Sequence, residues 1–316
     1  MNVGSTQPAR HIFFRFYGLA ALALSCVSFA QETSSNKRVS PSSEFPCPPA
    51  EIAHYTAFRV SAPIAIDGRL DEPAWKAAPR SPRFVDILTG RRTPHDTRAA
   101  VIWDEENLYI AFRVEEPLVR AKFTTNNSPI YYDNDVEVFI AGPDAYYEFE
   151  VNAFNTTYEV FFIWNDAYEK SGFAREPEFQ RSKMTPFNGV DFTTHPRGGR
   201  LGNFNWHFPG KKSAVFIDGT VNKDDDRDRG WSVELVFPWK GMSWLAKGDS
   251  RSLPPKDGDT WRIDFSRFNQ YKEAPPAQDS GGWVWSRHGI WDSHIPECFP
   301  YIHFSTRDVS DAKSGE

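Results

Sequence analysis

The chain has 316 residues, with 36 Lys+Arg against 42 Asp+Glu and a formal net charge of −6. A surface of that sign repels phosphate backbones, which argues against nucleic acid as a partner. Hydrophobic residues make up 40% of the chain, enough for a sizeable core, so global disorder is excluded. With 26 Phe, 11 Tyr and 11 Trp beside 24 Pro and 20 Gly, the composition favours short strands and many turns over a helical bundle.

The first element in chain order is an address. Arg10 and Arg15 precede an apolar run from Phe16 to Val27, and Ser28-Phe29-Ala30 follows before Gln31. A basic flank, a short apolar core and small residues at the end describe a secretory signal peptide over residues 1–30, cleaved after Ala30. A membrane anchor would need about 20 apolar residues, and this run is shorter. Without residues 1–30 the chain keeps 34 basic against 42 acidic residues, a net of −8. The expected location is secreted or periplasmic, with no membrane span.

Residues 31–50 (QETSSNKRVSPSSEFPCPPA) are Pro/Ser-rich and read as a linker or arm. Residues 51–305 form one continuous domain, and 306–316 a polar tail. Cys26 leaves with the leader, so Cys47 and Cys298 remain near the two ends of the mature chain. In an oxidising compartment such a pair reads as a disulfide closing the ends, with two unrelated buried thiols as the alternative. Closing so long a loop is worth roughly 4–5 kcal/mol in the chain-entropy model.

Between the cysteines, apolar and polar residues alternate with a period of two. Leu108, Ile110, Phe112 and Val114 form one such set; Val136, Val138 and Ile140 another; Tyr147, Phe149 and Val151 a third. Trp231, Val233, Leu235 and Phe237 follow, then Trp261, Ile263 and Phe265. Turn signals such as Ala141-Gly142-Pro143-Asp144 separate these strands, and the one short helical turn falls near Glu72–Ala78. The pattern predicts an all-β fold, an antiparallel two-sheet β-sandwich of jelly-roll or immunoglobulin-like type. Residues 165–215 depart from it. They read as a long insertion loop, a lid or a wall, pinned by Phe173, Phe179, Phe187, Phe192, Phe204, Trp206 and Phe208.

Six segments recur in a recognisable order: IDGRLDEPAW (66–75), VIWDEENLYIAFRVEE (101–116), DNDVEVFI (133–140), YYEFEVNAFN (146–155), GWSVELVFPW (230–239) and WRIDFSRF (261–268). Together they resemble the family 9 carbohydrate-binding modules, within the wider group of DOMON-like sandwiches. The resemblance implies a sandwich that binds a glycan or oligosaccharide and works alongside polysaccharide-degrading enzymes. It also implies two aromatic side chains clamping a sugar ring, with polar residues of the sheet face reaching its hydroxyls. Tyr131, with Tyr132 beside it, takes the place of the first clamp, and Glu137 that of the polar Glu on the D-x-V-E-x-F strand. Asn152 matches a family Asn, while Glu150 stands where the family has Arg. The second clamp falls by ungapped counting on Ser293, and Trp291 is the displaced aromatic candidate.

The chemistry is consistent with that picture, because a pyranose has apolar C–H faces and a rim of hydroxyls. By alternation Glu137, Glu148, Glu150 and Asn152 leave their strands away from the apolar set, as a binding surface or as a solvated face. Trp103, Trp231, Trp261, Trp283 and Trp285 read as core. The run Asp224-Asp225-Asp226-Arg227-Asp228 offers Asp224, Asp226 and Asp228 as weak calcium candidates, but it lacks EF-hand spacing and a final Glu and reads first as a solvated hairpin loop. No other cofactor is expected. Two further classes stand beside sugar binding. One is a glycoside hydrolase working through paired carboxylates, for which no acid/base motif is present. The other is a haem-binding DOMON-type electron carrier, for which the mature chain offers only Met184 and Met242.

Overall fold

The computed structural model describes residues 44–249, 251–270 and 280–314. The leader over 1–30 and most of the 31–50 arm lie outside the described residues. Fourteen strands run in chain order: β1 (His54–Arg59), β2 (Val85–Asp86), β3 (Thr97–Trp103), β4 (Asn107–Glu115), β5 (Asp135–Ala141), β6 (Ala145–Asn152) and β7 (Thr157–Trp164). They continue as β8 (Thr185–Phe187), β9 (Arg200–Asn203), β10 (Lys212–Asp218), β11 (Gly230–Pro238), β12 (Thr260–Asn269), β13 (Gly281–Val284) and β14 (Tyr301–Asp308). Two short helices, α1 (Pro73–Ala77) and α2 (Asn165–Tyr168), complete the set. No helix among the described residues is long and apolar enough to cross a membrane.

Hydrogen bonding follows one path, β10-β11-β4-β3-β1-β14-β12-β5-β6-β7-β9-β8, with β13 and β2 attached beside β12. On a flat sheet β11 and β6, seven places apart, would be separated by about 33 Å. Yet Phe237 of β11 and Phe149 of β6 meet with ring centroids 5.5 Å apart. The path therefore folds over on itself and presses one face of each half into a shared core. This is a sandwich, with its two layers joined by hydrogen bonds. The joins are narrow: β1 meets β3 only through Phe58 and Arg59, and β12 meets β14 only through Thr260–Arg262. Both neighbours of β1 run parallel to it, whereas the sequence pattern predicts antiparallel pairing throughout. Period-two alternation reports which face a residue occupies and carries no information on strand direction.

The expected inward sets of β4, β5, β6, β11 and β12 all lie in the main core, together with Trp103, Trp231, Trp261, Trp283 and Trp285. Cys47 and Cys298 form a disulfide, with Cα atoms 5.6 Å apart. The 165–215 stretch carries α2, β8 and β9 as well as several single turns. Its Phe173, Phe179, Trp206 and Phe208 close one end of the main core, so its aromatics do pin it. At the far end β14 extends to Asp308, and Val309 packs beside Trp75 in a cluster outside β3 and β4.

Two of the six motifs meet at one buried acid. Glu234, on the outward face of β11, accepts the backbone N–H groups of Asp67 and Gly68 at 2.9 and 2.7 Å. It also accepts the Trp75 indole N–H at 2.7 Å. Gly68 has φ +86, and a Cβ there would stand 2.5 Å from the backbone of Val215 and Phe216. The IDG turn is thus a clamp across the outside of one layer. Gly68→Ala and Glu234→Ala are each expected to destabilise the fold by about 2–4 kcal/mol, through backbone clash and through three orphaned donors respectively. Urea unfolding midpoints check this, and unchanged midpoints would refute the clamp.

Candidate functional site

On the outer face of the other layer, β5 pairs with β6, β6 with β7, and β5 with β12. The register sets Glu137 directly opposite Glu150, Phe139 opposite Glu148, and Asp135 opposite Asn152. Tyr158 of β7 stands opposite Glu150, and Ser266 of β12 opposite Glu137. The alternation along β5 and β6 therefore places four acids on one patch of one face. They are not solvated: Glu137, Glu148 and Glu150 are at most 5% exposed and Asp135 is fully buried.

Glu137, Glu148 and Glu150 form the floor of a cleft of about 840 Å³, and Asp135 is buried next to Glu137 on β5. One side of the rim is the turn Ile130–Tyr132, whose Ile130 is buried beneath while Tyr131 and Tyr132 are 39% and 58% exposed. The two rings lie 4.6 Å apart, and Tyr131 meets Tyr158 edge-on at 5.6 Å. On another side Trp291, half-buried, stands edge-on to Phe268 with centroids 5.3 Å apart. Phe187, Val190 and Phe204 of the 165–215 stretch form a further wall. Asp292 ties two walls together, since its Oδ2 accepts the backbone N–H groups of Val190, Asp191 and Phe192 and its Oδ1 that of His294.

Of the residues expected to bind, Tyr131, Tyr132, Glu137, Glu150 and Trp291 all line this cleft. Asn152 does not. Its amide donates to the Phe123 carbonyl and to Asp133 at 2.9 and 3.1 Å, and its oxygen accepts from Phe154 N and Thr156 N. Asp133 in turn accepts Lys122 N and Phe123 N, so Asn152 holds the chain that presents the two tyrosines. The calcium candidates are elsewhere and face different partners. Asp224 pairs with Arg120, Asp226 accepts the Thr220 hydroxyl, and Asp228 accepts Val119 N and Thr220 N. Met184 and Met242 are buried in the main core. Sequence reasoning did not single out Tyr158, Phe187, Phe204, Phe268 or His294 as cleft residues. Tyr158 and Phe268 do show the alternation of β7 and β12, but only the strand order brings them beside Glu150 and Glu137.

The floor is electrostatically unusual. Burial raises the Glu137 carboxyl to about 8; the Ser266 hydroxyl, 2.7 Å away, pulls it down, and nearby Asp264 pushes it up. Burial also lifts Asp135, Glu148 and Glu150 well above the carboxylate range, and the negative charge of Glu137 adds to each. His294, 3.5 Å from Glu148, is held neutral because burial depresses it to about 3. The floor thus offers carboxylic acids that can donate as well as accept.

Residues 66–177 match the family described as carbohydrate family 9 binding domain-like. This part of the chain is a family 9-like segment. It runs from the IDG turn into the 165–215 stretch, so it contains the tyrosine rim and all four acids of the patch but not Trp291. A candidate carbohydrate-binding protein from Bacteroides uniformis has the same fold, with a TM-score of 0.53 at 16% identity over 80% of this chain and 100% of that one. Family 9 carbohydrate-binding modules from Caldicellulosiruptor kristjanssonii, solved with cellotriose and with glucose, align at TM-scores of 0.43 and 0.41. Their identities are 14% and 13%, over 80% of this chain and 95% and 97% of theirs. A comparison with curated proteins finds no match.

The raised acidity of the floor gives a pH signature. Folded, Glu137 keeps its proton up to about pH 8; unfolded, it loses it near its ordinary 4.5. Between those values the folded state binds more protons, so stability falls as pH rises. Glu137→Gln, which cannot ionise, is expected to flatten part of that fall. Urea midpoints from pH 4.5 to 8 in metal-free buffer test this, and a wild-type midpoint that does not fall would contradict it.

Proposed function

We propose that this protein binds carbohydrate without transforming it, using the cleft above β5 and β6. The observation that carries the reading is the pairing of exposed tyrosines on the rim with a buried hydrogen-bonding floor. Flat rings match the C–H faces of a pyranose, and carboxyl groups match its hydroxyls. Acids that hold protons suit hydroxyls, which both donate and accept. The family 9-like segment, which supplies the tyrosines and the floor, supports the same conclusion.

A hydrolase needs two carboxyl groups set across a glycosidic bond, about 5 Å apart or more. Here oxygens of Asp135, Glu137 and Glu150 lie within 4.8 Å of one another. The acids are crowded together on one patch instead of flanking a gap. This favours recognition over cleavage. Export through the leader-like residues 1–30, into a compartment that keeps the Cys47–Cys298 disulfide oxidised, would place the protein among extracellular glycans and the enzymes that degrade them.

Titration with soluble mono- and oligosaccharides, followed by tryptophan fluorescence with product analysis in the same tubes, tests this. Saturable binding without released sugar is expected, and turnover would overturn the reading. Tyr131→Ala and Trp291→Ala should each weaken binding by about 1–2 kcal/mol, roughly five- to thirtyfold, with the unfolding midpoint nearly unchanged. If affinity survives both substitutions, the rim is not the binding surface.

A further inference from the structure

The base of the cleft holds a donor set that hydroxyl recognition does not require. Asp135, Glu137 and Glu150, from two adjacent strands, each place one carboxylate oxygen within 4.8 Å of the other two. All three side chains are buried, at 0, 4 and 1% exposure. Among the described residues, Asp135 Oδ2 and Glu150 Oε2 have no hydrogen-bond partner. A buried carboxylate oxygen without a partner is costly.

The cationic side chains nearby are engaged elsewhere. Arg267 lies on the opposite face of β12 and bonds Thr97, the Glu115 carbonyl, Glu116 and Asn269. His288 stands 3.3 Å from Asp264, and Arg200 bonds the His294 carbonyl. Without a cation the three acids keep their protons, and a compact positive charge that binds several oxygens would displace them.

We propose that Asp135, Glu137 and Glu150 form a binding site for a hard divalent cation of the calcium class at the base of the cleft. An all-oxygen donor set selects such ions over zinc or copper, which prefer nitrogen and sulfur. With ligand bonds of 2.3–2.6 Å, calcium spans oxygens up to about 4.6–5.2 Å apart, whereas magnesium spans only about 4.2 Å. Oxygens within 4.8 Å of one another lie inside the reach of calcium. Glu137 and Glu150 also line the open cleft, so the coordination positions left over face outward, toward water or a ligand hydroxyl. The site does not depend on what the tyrosine rim binds.

The test uses the full mature chain stripped with chelator. Calcium is titrated calorimetrically, and terbium is titrated by luminescence excited through the neighbouring Tyr131 and Tyr158. One saturable site is expected, with terbium displaced by calcium. Asp135→Asn and Glu150→Gln should each weaken binding at least tenfold, while the paired change Asp224→Asn with Asp226→Asn leaves it unaltered. Absence of saturable binding to the wild type at millimolar calcium overturns the proposal. So does binding that survives Glu150→Gln or is lost with the 224/226 pair. If Glu150→Gln does not fold, Glu137→Gln takes its place in the same comparison. Sugar affinity measured in EDTA examines the rim separately, so failure of one reading is not mistaken for failure of the other.

Discussion

The constraint on which the site depends is the opposition of Glu137 and Glu150 across the β5–β6 pair. Like charges placed directly opposite on neighbouring strands are unfavourable, and burial makes them more so. The structure answers with protons and a hydrogen bond: burial raises Glu137, Glu148 and Glu150 above the usual carboxylate range, and Ser266 donates to Glu137. The rest of the cleft leaves little of this patch exposed. Phe139, Phe162 and Tyr158 surround it on the sheet, and the loop carrying Trp291 to His294 closes over one side.

Keeping such a patch covered requires a rigid frame, and polar clamps supply it. Asn152 fixes the chain that carries the tyrosine rim, Asp292 fixes the wall against the 165–215 stretch, and Glu234 fastens the IDG turn on the far layer. Each is a buried side chain with at least one hydrogen bond to a backbone N–H or carbonyl group distant in sequence. The same economy appears at Glu116, which takes the Trp231 indole and the Asn134 amide inside the fold. With the Ser266–Glu137 bond, these contacts tie each of the six motifs to another motif.

The 165–215 stretch serves both sides of its layer. Phe173, Phe179 and Trp206 point into the core between the layers, while Phe187 and Phe204 face outward and raise a wall of the cleft. A segment rich in Gly, Pro and Asn looks like a plain loop because its strands are three or four residues long, too short for alternation to register.

By itself the sequence determined the strands, their inward faces and the all-β class, because alternation is a local property that burial on one side imposes. It also determined that Glu137, Glu148 and Glu150 share an orientation, and it pointed to Tyr131, Tyr132 and Trp291 as aromatics outside the core register. Only the tertiary structure decided that β5 and β6 adjoin in a register that stacks those acids, and that a loop about 140 residues later in the chain covers them. It likewise decided that Asn152 works beneath the rim and not in the cleft, that the two layers form one hydrogen-bonded path, and that β1 runs parallel to both of its neighbours. The physical reason is the same in each case. Strand order, register and direction are set by contacts between segments far apart in the chain, and period-two patterning within a segment says nothing about which neighbour it will meet.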